Sequence, residues 1–138
     1  MYRLVYYSSN RIGASGEQMR AQIDQILAAS RRNNRAAGLT GALMFSSGYF
    51  GQVLEGPQDA VEATFERIQQ DTRHGDVSLL EFVKIADRAF GDWSMAFVGG
   101  VNDIFADWRD DGFDMSVITG ELLLSKLREL VSRGADAA

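Results

Sequence analysis

The sequence predicts an α+β domain with the ferredoxin-like element order β-α-β-β-α-β-β, two helices on one face of the sheet, and a C-terminal helical extension. Three observations support this prediction. Aromatic and branched runs typical of strands alternate with two stretches of helical periodicity. Small polar residues, glycine and the single proline separate these segments. The chain has 138 residues, 46% of them hydrophobic, which is enough for one domain with a core.

The first strand and the first helix follow each other directly. Residues 2–8 are dense in aromatic and branched side chains and are predicted to form a strand. Ser15 and Gln18 have the spacing of a capping box, so a helix should start there and end at about Arg32. Its buried face is predicted from side chains at helical spacing, which are Met19, Ile23, Ile26, Leu27 and Ser30.

A hairpin and a second helix come next. The apolar runs 38–45 and 49–55, separated by Ser46-Ser47-Gly48, predict two antiparallel strands. Gly56-Pro57 should open a helix, because proline suits the first helical turn. Val61, Phe65 and Ile68 mark the inner face of this helix, which should end near Asp71.

The last two strands are predicted at residues 77–86 and 93–100, with a polar turn at 87–92. We therefore divide the chain into a domain at 1–100 and an extension at 101–138 that belongs to the same compact unit. A final helix should follow Thr119 and stop at Gly134. Its apolar stripe, Leu123, Leu127, Leu130 and Val131, is expected to cover the open face of the sheet or to contact a second chain.

Charge and composition exclude several classes of function. A net charge of −5 argues against direct binding of nucleic acid or of an anionic membrane surface. No cysteine and one histidine exclude disulfides, thiolate chemistry and a multi-histidine zinc site. The N-terminus lacks the pattern of a signal peptide, and no stretch approaches the roughly 18 apolar residues of a membrane span. We expect a soluble, cytoplasmic protein.

Nucleotide hydrolysis and metal binding are not predicted either. The GLTG sequence at 38–41 is too short for a phosphate loop and leads into a strand. The aspartates at 107, 110, 111 and 114 lack the ordered glycine and the terminal glutamate of a calcium loop. They are interpreted as a solvated acidic loop.

Two polar residues on predicted strands are candidates for a functional site. Alternation places Gln52 on the same face as Phe50 and Leu54, and a buried amide without partners costs about 1–3 kcal/mol. Tyr6 should also face the core, because Arg3 marks the other face of its strand as the wetter one. The alternatives are that Gln52 is exposed or binds a loop carbonyl, and that Tyr6 is an ordinary core tyrosine.

Polar residues also gather at the predicted ends of both helices. Asn33 and Asn34 are interpreted either as turn formers or as amides that face the edge of a heterocycle. The sequence Asp71-Thr72-Arg73-His74 combines an acceptor, a bidentate donor and an imidazole. It is equally interpreted as a charged helix terminus.

Five motifs together resemble the BLUF domain, a flavin-based sensor of blue light. They are YRLVY at 2–6, RNN at 32–34 leading into GLTG at 38–41, FGQVLEG at 50–56, DTRH at 71–74 and DWSM at 92–95. The resemblance covers about residues 1–100. The chain departs from the family pattern at Arg35, where proline often follows the paired asparagines.

The resemblance implies a noncovalent flavin, usually FAD, with FMN and riboflavin as alternatives. It implies that Tyr6 is the photoactive tyrosine, which gives up an electron and a proton, and that Gln52 is the amide that changes its hydrogen bonds. The other positions that it assigns to the flavin site are Ile26 and Ile68 on the ring faces, Asn33, Asn34, Asp71, Arg73 and His74 at polar edges, and Trp93 and Met95 near the glutamine.

The implied function is a blue-light photoreceptor without enzymatic turnover. It would signal by conformational change to an unidentified downstream protein or through homo-oligomers, with a dimer favoured. Two other functions stay open. One is an acylphosphatase-like hydrolase that uses Arg32 and Asn34, and the other is a colourless ligand-binding regulatory module. Colour distinguishes them, because only the photoreceptor is yellow when purified.

Overall fold

The computed structural model describes residues 1–13, 17–45, 49–99 and 119–132. Its elements are β1 (Tyr2–Asn10), α1 (Glu17–Ala37), β2 (Thr40–Phe45), β3 (Tyr49–Gly56), α2 (Gln58–Gln69), β4 (His74–Lys84), β5 (Ala96–Gly99) and α3 (Gly120–Ser132). The predicted element order and the C-terminal helix are confirmed.

The five strands form one sheet in the order β4-β1-β3-β2-β5. β2 and β3 are the predicted antiparallel hairpin, with Phe45 opposite Phe50. β1 pairs antiparallel with both β3 and β4, and β5 joins β2 in parallel. β1 and β3 therefore lie in the interior of the sheet, where alternate side chains face two separate cores.

One core lies between the sheet and the helices α1 and α2. β1 and β3 contribute Leu4, Tyr6 and Leu54 to it, all at most 2% exposed. Ile23 and Leu27 of α1 and Val61 of α2 pack against them. Burial of each apolar side chain of this size stabilises the folded state by about 1.5–3 kcal/mol. Together these contacts attach both helices to this face of the sheet.

The second core lies on the opposite face, under α3. Leu123, Leu127, Leu130 and Val131 of α3 pack against Val5, Ala42, Met44 and Val53 of the sheet. Gly51 leaves room for this contact, because a Cβ there would lie 2.9 Å from Met44 Cε and 3.3 Å from Leu123. The apolar stripe thus covers the open face of its own sheet. The expectation that Arg3 marks this face as wet is wrong, since Arg3 is paired with Glu55 at 2.9 Å.

The first helix continues beyond its predicted end at Arg32. It ends at Ala37 because Gly38 adopts a left-handed φ of 73°, and the Leu39 N–H returns to the Asn34 carbonyl at 2.8 Å. This is a Schellman-type stop. Asn33 and Asn34 therefore lie inside the helix and do not form its cap.

The later boundaries also differ from the prediction. α2 ends at Gln69, and β4 begins at His74, so His74 lies on a strand. β5 is limited to Ala96–Gly99, which places Trp93 and Met95 in the segment before it. The start of α3 after Thr119 is confirmed, since Thr119 Oγ1 accepts a hydrogen bond from the Leu122 N–H at 3.2 Å. Ser15, the turn at 46–48, the acidic run at 103–114 and Gly134 lie outside the described residues.

Candidate functional site

A cavity of about 230 Å³ lies between α1, α2 and the face of the sheet that these helices cover. The lining residues from α1 recur at helical spacing between Ile26 and Asn34, so one face of that helix forms this wall of the cavity. The lining consists of Tyr6, Ile26, Ala29, Ser30, Asn33, Asn34, Leu43, Phe50, Gln52, Thr64, Arg67, Ile68, Asp71, Arg73 and His74.

The cavity brings together nine of the eleven residues that the family resemblance assigns to the flavin site. Ile26 of α1 and Ile68 of α2 provide aliphatic surface on the two helices. The polar members come from both strands and helices. The two exceptions are Trp93 and Met95, which do not line the cavity.

Tyr6 and Gln52 form the centre of the site on the sheet. They lie directly opposite each other on β1 and β3, and both are buried, at 2% and 4% exposure. The Tyr6 hydroxyl donates a hydrogen bond to Gln52 Oε1. Gln52 is therefore buried on the cavity face, and the alternative of an exposed glutamine is wrong. Tyr6 is hydrogen-bonded to Gln52, the other polar candidate on the strands.

The amino group of Gln52 is poorly satisfied. Its partner in the described part of the chain is Met95 Sδ at 3.8 Å, and a thioether is a weak acceptor. A buried N–H without a good acceptor costs free energy. The site therefore suits a ligand that offers an acceptor next to Gln52.

The environment of Tyr6 keeps its phenol protonated. Burial raises the pKa of Tyr6 well above its ordinary value of about 10, and the negative charge of Asp71 raises it further. The hydroxyl is consequently a donor at neutral pH. This fixes the direction of its hydrogen bond, since the Gln52 oxygen can only accept.

Asn34 reaches the cavity from inside α1. It is 1% exposed, and its Nδ2 donates to the Ser94 carbonyl at 2.6 Å. Within the described residues, its Oδ1 accepts no hydrogen bond. A buried amide oxygen in this position suits a ligand with an N–H group.

Asp71 and Arg73 bind each other at the end of α2. Arg73 Nη2 lies 2.6 Å from Asp71 Oδ2, and the Arg73 backbone N–H donates to Asp71 Oδ1 at 2.9 Å. The side-chain hydrogen bond from Arg73 is the main cause that lowers the pKa of Asp71, partly opposed by burial. The carboxylate therefore stays ionised and keeps its negative charge near Tyr6.

His74 is held by protein groups on both ring nitrogens. Nε2 lies 2.6 Å from the Ile68 carbonyl, which can only accept, so Nε2 carries a proton. Nδ1 lies 2.7 Å from Ser8 Oγ, whose hydroxyl donates to it when the ring is neutral. The His74 ring lines the cavity beside Tyr6 and Phe50, with its centroid 6.2 Å from that of Tyr6 and 6.0 Å from that of Phe50.

Trp93 and Met95 lie on opposite sides of the sheet. Met95 is fully buried in the core under α1 and α2, where its sulfur touches Gln52. Trp93 is half-buried and packs against the core under α3. The thioether is thus the member of the pair beside the glutamine.

Sequence reasoning missed several residues of the site. Ser8 shares the strand face of Tyr6, so alternation along β1 was the signal that could have found it. Ala29 lies one helical turn from Ile26, as does Ser30, which the sequence places on the buried face of α1 but does not assign to the site. Thr64 lies one helical turn before Ile68, and Arg67 lies three residues after Thr64, so helical spacing along α2 could have found both.

The residues present fit a flavin. Its ring is flat and apolar on both faces, and one edge carries an N–H between two carbonyl oxygens. Ile26 and Ile68 provide apolar surface, Asn34 Oδ1 is an unused acceptor, and Gln52 Nε2 is an underused donor. In the described ranges, we find no group of three histidine, aspartate or glutamate side chains suited to a metal ion. Those ranges also contain no helix that is long and apolar enough to cross a membrane.

Curated relatives share only part of their length with this chain. The photoactivated adenylate cyclase subunit beta of Euglena gracilis is 34% identical over 83 residues, which are 59% of this chain and 10% of that protein. The blue light- and temperature-regulated antirepressor BluF of Escherichia coli K12 is 32% identical over 90 residues, 65% of this chain and 21% of the relative. The chain therefore spans about a tenth to a fifth of these relatives.

Two solved structures are similar over almost their whole length. The dark-state structure of BlrB, a BLUF protein, has a TM-score of 0.77 at 28% sequence identity. The alignment covers 96% of this chain and 95% of the BlrB chain. The ground state of BlsA has a TM-score of 0.80 at 29% identity, with coverages of 99% and 90%. The family model of sensors of blue-light using FAD matches residues 1–96. The chain belongs to the BLUF family, the sensors of blue-light using FAD.

Proposed function

We propose that the cavity binds one flavin noncovalently, that this flavin is FAD, and that Tyr6 and Gln52 carry the light response. The observation that carries the proposal is the buried hydrogen bond from Tyr6 to Gln52 at the cavity wall. It places an oxidisable phenol and a reorientable amide next to each other. Family membership favours this function over the acylphosphatase-like hydrolase and the colourless module.

Several side chains would hold the flavin. Ile26 and Ile68 would contact the faces of its ring, and Asn34 Oδ1 would accept from its N–H. Asn33 would support the same edge. The pair of Asp71 and Arg73, with His74, closes the α2 end of the cavity. Because the chain has no cysteine, no thiol is available for a covalent adduct.

When bound and excited by blue light, the flavin supplies a one-electron oxidant. Tyr6 would give an electron and its phenolic proton to the bound flavin, and its hydrogen bond to Gln52 Oε1 would be lost meanwhile. The Gln52 amide is then free to change its hydrogen bonds, since Met95 Sδ restrains its amino group only weakly. Tyr6 would then take back both the electron and the proton, and the rearranged hydrogen bonds of Gln52 would remain as the signal.

The output is a shift between conformations and not a turnover reaction. We propose that the chain has no enzymatic activity of its own, and that residues 101–138 serve as its output element. It would act on a downstream protein or through a homo-oligomer, with a dimer favoured. The cytoplasmic location expected from the sequence stays a prediction that cell fractionation tests.

An absorption spectrum before and after blue light tests the proposal. The purified protein should be yellow, and its main flavin band should shift reversibly to the red on illumination. Acid or heat should release intact flavin, and chromatography of the released material should identify FAD. A colourless protein that also fails to take up added flavin would contradict the proposal.

A further inference from the structure

Three consecutive backbone carbonyls before β5 are each held by a donor from another element. The Gly41 N–H of β2 donates to the carbonyl of residue 93 at 3.2 Å, and Asn34 Nδ2 of α1 donates to that of residue 94 at 2.6 Å. The third donor is Arg31 Nε of α1, which lies 3.0 Å from the Met95 carbonyl oxygen. The backbone at 93–95 is therefore fixed by β2 on one side and α1 on the other.

The position of this backbone decides which side chain lies beside Gln52. Met95 is fully buried, and its sulfur contacts Gln52 Nε2 at 3.8 Å. Trp93, two residues earlier, packs against the core on the opposite face of the sheet. Withdrawal of the thioether from Gln52 therefore requires a displacement of residues 93–95, which also carries the neighbouring Trp93.

Arg31 holds the end of this segment at Met95 itself. Its guanidinium is a charged donor, and hydrogen bonds from a charged donor are stronger than those between neutral groups. Arg31 is half-buried and is absent from the lining of the cavity. The hydrogen bond to the Met95 carbonyl thus links Arg31 to the residue whose side chain lies beside Gln52.

We propose that Arg31 is a positioning residue, which keeps Met95 and not Trp93 beside Gln52 and thereby sets the lifetime of the lit state. This inference rests on the proposed function, because it presumes that Gln52 changes its hydrogen bonds in the light. Without the Arg31 hydrogen bond, residues 93–95 sample the alternative position more often, and the rearranged amide relaxes sooner.

The test uses Arg31→Met, which keeps the aliphatic stem but removes the donor. Arg35→Met is the matched control, because Arg35 is an exposed arginine on the same helix. The chain has two tryptophans, so 19F NMR with 5-fluorotryptophan gives two signals, and Trp93→Phe identifies that of Trp93. This signal is recorded without flavin and with flavin, and the dark recovery of the red-shifted band is timed.

Arg31→Met should move or split the Trp93 signal in both forms and speed dark recovery by about threefold or more. Arg35→Met should match the wild type in both measurements. An unchanged Trp93 signal and recovery rate in Arg31→Met, or equal changes in Arg35→Met, would overturn the inference. If Arg31→Met does not fold, Arg31→Gln is measured by the same criteria. A wild type without a red shift would instead contradict the proposed function.

Discussion

At the scale of single residues, the chemistry depends on where one hydrogen bond can go. Tyr6 is a protonated donor because burial and Asp71 both oppose its ionisation. Gln52 offers its oxygen to Tyr6, and its amino group has only a sulfur as partner in the described structure. Rotation of the amide therefore loses only a weak contact with sulfur at its amino group, whereas it breaks the hydrogen bond between its oxygen and Tyr6. The hydrogen bond to Tyr6 is therefore the main restraint on the orientation of this amide.

Tyr6→Phe and Gln52→Leu should both bind flavin and lose the red shift. The first change removes only the phenol oxygen, and the second keeps the approximate side-chain volume while removing the amide. Tyr7→Phe is the control, because Tyr7 packs against the core on the other face of β1. It should behave as the wild type. Absorption spectra before and after illumination give the answer, and a normal, reversible red shift in Tyr6→Phe would show that Tyr6 is not the donor.

At the scale of elements, a buried glutamate organises the connection between β4 and β5. Glu55 of β3 is completely buried and binds Arg3 of β1 at 2.9 Å. It also accepts the backbone N–H groups of Ala89 and Phe90, at 2.9 and 2.8 Å. Arg88 adds bonds to the carbonyls of Glu55 and Gly38, at 3.1 and 2.9 Å. Residues 88–90, which precede the segment that carries Met95, are thus attached to the sheet.

Glu55→Gln should destabilise the protein by about 3 kcal/mol, since it leaves the Arg3 charge without its partner and turns an amide N–H toward donors. The exposed Glu66 on α2 is a control of the same chemistry, and Glu66→Gln should change stability by less than about 0.5 kcal/mol. Urea unfolding of both variants measures the difference. Equal midpoints for the two would show that the buried ion pair does not hold this connection.

The elements also show what local sequence can and cannot reveal. Alternation was sufficient to place Tyr6 and Gln52 on one face, because β1 and β3 are regular strands in direct register. The end of α1 was misplaced because two asparagines resemble a cap, whereas the stop at Gly38 needs a left-handed residue. Glu55 was missed because its partners, Arg3 and residues 89–90, are brought near only by the assembled sheet. The sequence likewise gives no indication that Trp93 and Met95 lie on different faces.

At the scale of the whole molecule, the sheet separates the cavity from α3. β1 and β3 contribute side chains to both faces of the sheet. Their pair Tyr6 and Gln52 faces the cavity, and the next pair, Val5 and Val53, faces α3. A change at Gln52 can thus reach α3 through a single strand. Because α3 already covers the sheet, its buried stripe is not free for a second chain, and a homodimer would need another surface or the release of α3.

Blue light should alter the protection of α3 against hydrogen exchange. If the rearranged Gln52 shifts β3, the packing of Leu123 and Leu127 on the sheet weakens, and amides of Gly120–Ser132 open more often. Exchange followed by mass spectrometry should be at least about twofold faster for this segment in the light. Gln52→Leu with bound flavin is the control and should show no difference between light and dark. Unchanged exchange in α3, together with a light-dependent change elsewhere in the wild type, would place the output surface outside this helix.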